Sequence, residues 1–99
     1  VKFVVLAQAR DSQRRTLRLL YQTHSASYVR GLKTQVSIKL EWLKEHSLSG
    51  QFEPELEGMK LGHRRVIIGP FKILYRITPK QIVVTDIFDS RRDPKDMKG

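Results

Sequence analysis

Hydrophobic residues repeat along this chain with two different periods. Between Arg64 and Asp89 they fall into three β-rich runs, broken at Gly69-Pro70 and again at Thr78-Pro79-Lys80. Apolar runs divided by such turn residues predict an antiparallel meander. With Gly69 and Pro70 as a two-residue loop, Ile68 stands opposite Phe71, Val66 opposite Ile73 and Arg64 opposite Tyr75. Strand alternation then separates two faces. One carries Val66, Ile68, Phe71, Ile73, Tyr75 and Ile77 and packs on helices, with Arg64 at its edge snorkelling outward. The other carries His63, Arg65, Ile67, Lys72, Leu74 and Arg76, a cationic face with two apolar residues set into it. A slip of one residue would exchange the faces.

The second period belongs to the first half of the chain. After a short β-rich run, Lys2 to Leu6, residues Ala7 to His24 read as a helix in which Leu17, Leu20 and Tyr21 share a side. The stretch Thr23 to Ser27 interrupts it and offers Ser25 or Ser27 as a helix N-cap. From about Ala26 to His46, Val29, Leu32, Val36, Leu40 and Leu43 advance by 3, 4, 4 and 3, a continuous helical stripe. Gly31 within it suggests a close approach by the first helix. Two helices joined so tightly are expected to run antiparallel. Ser47 to Gly62, rich in Gly and Glu, reads as a long connection, and Lys95 to Gly99 as a frayed tail. The whole predicts one α+β domain over residues 1–99: a strand, an antiparallel helix pair, then a three-stranded meander, with the helices on one sheet face.

Charge changes that picture most. The chain has 99 residues and a formal net charge of +9. Its first 40 residues hold one acid, Asp11, against Lys2, Arg10, Arg14, Arg15, Arg18, Arg30, Lys33 and Lys39. So lopsided a half implies a polyanionic target or an acidic protein partner. Absence of cysteine excludes a disulfide scaffold and thiolate chemistry, and fits a reducing cytoplasm. No apolar run reaches the roughly 18 residues of a membrane span, and no signal peptide is visible. His24, His46 and His63 lack ligand spacing, so neither a metal nor a cofactor is expected. Asp86, Asp89 and Asp93 read as neutralising nearby arginines, with Asp93-Pro94 turning the chain.

Several residues together carry a family resemblance: Arg64 to Ile77, with its Gly-Pro-Phe-Lys-Ile-Leu-Tyr-Arg segment, then Ile82-Val83-Val84 and the closing Arg91-Arg92-Asp93-Pro94. Ala9 and Pro54-Glu55-Leu56 add support. The chain resembles the RelE/ParE superfamily of bacterial type II toxins over nearly its whole length, and its wording is nearer the ParE-like branch. The resemblance implies a small cytoplasmic toxin, of the kind linked to plasmid stabilization, held inactive by an antitoxin encoded beside it. It implies DNA gyrase as the target in the ParE branch, or the ribosome and its mRNA in the RelE branch. Fold alone does not choose between them.

The chemistry of each branch asks for different residues. Metal-free RNA cleavage needs a base for the 2′-hydroxyl, cations for the pentavalent phosphate and an acid for the leaving oxygen. The resemblance places the basic catalytic residues of the RelE-type nucleases at His63, Arg65, Lys72 and Arg92. Those enzymes also use a Tyr or a His–Tyr pair near the C-terminus, and no His or Tyr follows Phe88 here. Gyrase poisoning needs only a surface, for which Arg65, Lys72, Arg76, Arg91 and Arg92 are the candidates. Tyr28 and Trp42, set off the main stripe of the second helix, together with Ile67 and Leu74, are candidate contacts for an acidic, partly disordered antitoxin. A non-toxic nucleic-acid-binding module ranks last, because Phe71 and Tyr75 point inward and leave the basic face without base-stacking rings.

Overall fold

The computed structural model describes residues 1–99. Its elements are β1 (Lys2–Val5), α1 (Ala7–Leu20), α2 (Ala26–Leu43), β2 (Gln51–Phe52), β3 (Arg64–Ile68), β4 (Phe71–Ile77) and β5 (Gln81–Asp89). Short 3₁₀ helices cover Pro54–Met59 and Pro94–Asp96. The architecture is α+β, with one five-stranded sheet in the order β1-β5-β4-β3-β2. Only β1 pairs in parallel, on β5, and the remaining pairs are antiparallel.

The hairpin register is the one expected: Ile68 on Phe71, Val66 on Ile73 and Arg64 on Tyr75. Gly69 makes it possible. Its φ is +53°, and with Pro70 held near −65° the pair forms the two-residue turn whose twist matches the strands. Ser25 caps α2, its hydroxyl accepting from the Tyr28 N–H at 3.1 Å. That cap requires extended backbone at Ser25, so α1 ends at Leu20 rather than His24 and its last turn tightens around Tyr21. α2 also stops earlier than the pattern implied. Lys44, Glu45 and His46 bond back three residues, a 3₁₀ exit.

α1 and α2 lie on the same sheet face over Phe71, Ile73, Tyr75, Ile82, Val84 and Ile87, with Leu17, Leu20, Val29, Leu32, Val36, Leu40 and Leu43 as their contribution. A bulge in β5 makes this core possible. Leu74 pairs with Asp86 but Tyr75 with Val84, so Thr85 is the extra residue. Unbroken alternation from Ile82 and Val84 would drive Asp86 into the helix side and Ile87 away from it; the bulge reverses both. The Thr85 carbonyl it frees accepts from Gln8 Nε2 of α1 at 2.9 Å.

The opposite face corrects several expectations. Leu74 is 0% exposed, buried with Leu56, Phe88 and Met97. Residues 47–62 are no mere connection, since they supply β2 and the 3₁₀ turn that brings Leu56 onto the sheet. Nor is the tail frayed. Met97 is buried, the Lys98 N–H donates to Asp86 at 3.0 Å and Thr85 Oγ1 donates to the Lys98 carbonyl at 3.0 Å. Of the two apolar residues among the cations, Leu74 is thus covered by the chain itself, and Ile67 stays exposed. Gly31 faces open space and marks no close approach; that role falls to Gly50.

Candidate functional site

Arg65 and Lys72 do lie on one side of the sheet, and a third residue joins them. β2 pairs with the start of β3, and the Glu53 N–H bonds the His63 carbonyl at 2.9 Å, which delivers Glu53 to this face. Its carboxylate, 3% exposed, meets Lys72 Nζ at 3.4 Å and an Arg65 guanidinium nitrogen at 3.5 Å through one oxygen. The other oxygen accepts the Glu55 N–H at 3.1 Å, capping the 3₁₀ turn that opens at Pro54. Arg65 also donates to the Phe52 carbonyl at 3.1 Å. Two cations expected to be free for a target are therefore latched to an internal acid. Sequence reasoning left Glu53 in a connection, although an acid directly before Pro54 is a helix-start signal.

His63 is 3% exposed, and neither ring nitrogen has a hydrogen-bond partner. Burial, and then the nearby Arg76 charge, hold its imidazole below the usual histidine range, favouring the neutral ring. Gly99 lies beside it and beside Met59. A cleft of about 540 Å³ beside it is bordered by Phe52, Glu53, Glu57 and Lys60. Another buried carboxylate, Asp86 on β5, keeps one oxygen without a partner. The unpaired buried side-chain atoms of the protein thus belong to two residues, one beside Gly99 and the other bonded to Lys98.

Arg91 and Arg92 do not extend the Arg65–Lys72 cluster as a free set. Arg91 grips Asp89 with a two-pronged guanidinium contact, at 2.9 and 2.7 Å, and lies toward Tyr28 at the start of α2. Arg92 pairs with Asp96 at 3.3 Å. Asp93 turns the chain, accepting from the Lys95 N–H at 3.0 Å. The Arg91 contact holds the Asp89 carboxyl below its ordinary value. Asp89 accordingly contributes stability that is complete above its unfolded pKa, near 3.9, and is lost as pH falls through the lower folded value. Asp89→Asn is expected to flatten the acid limb of a plot of denaturant midpoint against pH below about 4, at a neutral-pH cost of about 1–2 kcal/mol.

The apolar candidates also separate. Ile67 is 63% exposed and shares a shallow groove with Trp42, Lys39 and Gln51. Trp42 carries Lys39 Nζ at 4.1 Å on its ring and stacks on His46. Tyr28, exposed and stacked on His24, stands at the other end of α2 near Arg91. Leu74, buried under the tail, is no surface contact in this structure. Ile38, which lines a neighbouring groove beside Trp42 and Ile68, was not singled out by the sequence because its position on the stripe's margin gave no contrast.

A family described as "ParE toxin of type II toxin-antitoxin system, parDE" matches residues 9–94, from the first helix to Pro94. The chain belongs to the ParE toxin family. No curated protein matches it. Membership of this family carries with it a cognate antitoxin as partner. The match takes in both helices of this ParE-family toxin, the Glu53 latch and the β3–β4 hairpin; β1 lies before it. No helix of the toxin is long and apolar enough to cross a membrane, and no group of three or more His, Cys, Asp or Glu residues is placed to hold a metal ion.

Proposed function

We propose that residues 1–99 act as a single growth-inhibiting toxin domain that poisons DNA gyrase by binding, and that an acidic antitoxin neutralises it. The observation that carries this reading is the Glu53 latch. A nuclease face needs cations free to meet a phosphorane and a proton carrier within reach of it. Here Arg65 and Lys72 are tied to a buried carboxylate, and His63 is buried with no hydrogen-bond partner for either ring nitrogen. A binding toxin needs neither. The groove between Trp42 and Ile67, with Lys39 and Arg65 along it, supports an antitoxin contact there: an exposed apolar residue beside an aromatic, framed by cations.

Purified toxin incubated with its host's own gyrase and relaxed plasmid is expected to block supercoiling or to accumulate cleaved DNA, and equimolar antitoxin to restore the reaction. Unaltered supercoiling, together with mRNA cut at A-site codons in cell-free translation, would replace this reading with the ribosome-dependent endoribonuclease. That alternative draws on one observation, the grouping of His63, Arg65 and Lys72 on a single face.

A further inference from the structure

We infer that Met97, Lys98 and Gly99 form a strap over a polar recess on the open sheet face, and that it lifts locally, ahead of the rest of the fold, when His63 takes up a proton. The strap has no strand partner. Neither Lys98 nor Gly99 makes a backbone–backbone hydrogen bond. Two side chains of β5 hold Lys98 instead: its N–H donates to Asp86 and its carbonyl accepts from Thr85, each at 3.0 Å. Met97 adds one apolar anchor, in the small cluster with Leu56, Leu74 and Phe88 that is separate from the main core. The turn leading into the strap, Pro94–Asp96, is exposed.

Closing the strap works against the groups it covers. Three buried side-chain atoms lack a partner, both ring nitrogens of His63 and one oxygen of Asp86. Asp86 is bonded to Lys98, and His63 lies beside Gly99. Each of these atoms left water with no bond in return, which offsets part of what the Lys98 bonds and Met97 contribute. A segment with so few contacts opens on its own, at a free energy below that of global unfolding. Protonation adds to this. Burial first, and then the Arg76 guanidinium, opposes a charge on the ring. The other charged groups around the ring do not reverse that direction. Glu53 is engaged by Arg65 and Lys72, Glu57 and Lys60 line the adjoining cleft with opposite signs, Asp86 already accepts from the strap, and Lys98 of the strap is itself a cation. Water reaching the ring restores its ordinary proton affinity, so acid favours the open form below about pH 6.5 and not above it. Lifting the strap uncovers Asp86 and one side of Leu74 next to the cleft that His63 lines, and the toxin then presents a different face. This goes beyond the gyrase reading, since it is a property of the chain alone.

The test is amide hydrogen exchange of the full chain by NMR, each rate divided by the intrinsic rate at the same pH. The Lys98 N–H is expected to be at least about 100-fold less protected than the ladder amides of β4 and β5, and indifferent to urea below the unfolding transition. From pH 6.5 to 5.5 its protection is expected to fall about fivefold, the change for an open ring of pKa about 6.5 against a closed ring that stays neutral. His63→Leu is expected to remove that fall. Met97→Ala is expected to lower Lys98 protection further and to bring the His63 ring titration up toward about 6.5. Lys98 exchange at the rate and urea dependence of the ladder amides overturns the inference, and the wild-type chain alone decides this. So does a fall with pH that is absent or that survives in the Leu variant, or a His63 midpoint that stays low in the Ala variant. None of these results bears on the supercoiling assay.

Discussion

Tyr75→Ala is expected to leave this toxin largely unfolded. Tyr75 is 0% exposed at the centre of β4, against the helices. Its hydroxyl donates to the Ser47 carbonyl at 2.7 Å and accepts the Gly50 N–H at 3.0 Å. The chain can come this close because residue 50 has no Cβ; one built there would crowd the hydroxyl and lie 2.9 Å from the Arg65 carbonyl. Arg64 closes the same loop from outside, bonding the Gly50 carbonyl at 2.8 Å. Truncating a buried ring of this size costs about 3–5 kcal/mol. Leaving a buried N–H unpaired adds about 1–3 kcal/mol. The sum approaches the whole stability of a typical domain, about 5–15 kcal/mol. Tyr75→Phe isolates the second contribution and is expected to lower stability by about 1–3 kcal/mol in urea denaturation. Because residues 47–52 lead directly into Glu53, the Phe variant is also expected to loosen the Arg65–Lys72 latch, seen as faster amide exchange from residue 50 to residue 56. A Phe variant as stable as wild type would show that the hydroxyl bridge does not hold this loop.

Mild acid is expected to destabilise the protein through His63. Its folded pKa lies below its unfolded value, so the unfolded chain binds the proton first. Stability is then complete above about pH 6.5 and falls as pH drops below it, by up to about 1.4 kcal/mol per pH unit while the folded ring stays neutral. The cause is local. Burial of the ring comes first and the Arg76 charge second in opposing protonation, Glu53 next to the ring's own strand is engaged by Arg65 and Lys72, and Glu57 and Lys60 stand across the cleft. His63→Leu keeps the volume and removes two unpaired nitrogens, so it is expected to be neutral or stabilising at pH 7 and to abolish the slope between about pH 6.5 and 5. Urea midpoints across that range measure it. A slope that survives in the Leu variant would assign the acid sensitivity to another group.

Much of this was legible from residue order because two signals are local. The Gly69-Pro70 turn fixes the hairpin register, and with it the side on which Arg65, Ile67 and Lys72 emerge. The stripe from Val29 to Leu43 fixes which side of α2 is buried. Neither needs knowledge of distant residues. The latch is different: Glu53 precedes Lys72 by 19 positions and reaches it only because β2 adds to the edge of β3. Leu74 shows the same limit. Alternation put it correctly on the face away from the helices but could not see that Leu56 and Met97 return to cover it.

Sequence alone therefore determined the α+β class, the hairpin pairing, the buried stripe of α2 and the excess of positive charge, since each follows from spacing or composition within a short window. Tertiary structure decided which of those charges are free. Pairing is a property of distance, and the carboxylates that neutralise the sheet arrive by way of a two-residue strand and a turn after β5, while α1 receives no acid beyond Asp11. It also decided that residue 85 bulges, sending Ile87 to the core and Asp86 beneath the tail, because a bulge answers to the partner strand and to the packing on both faces at once.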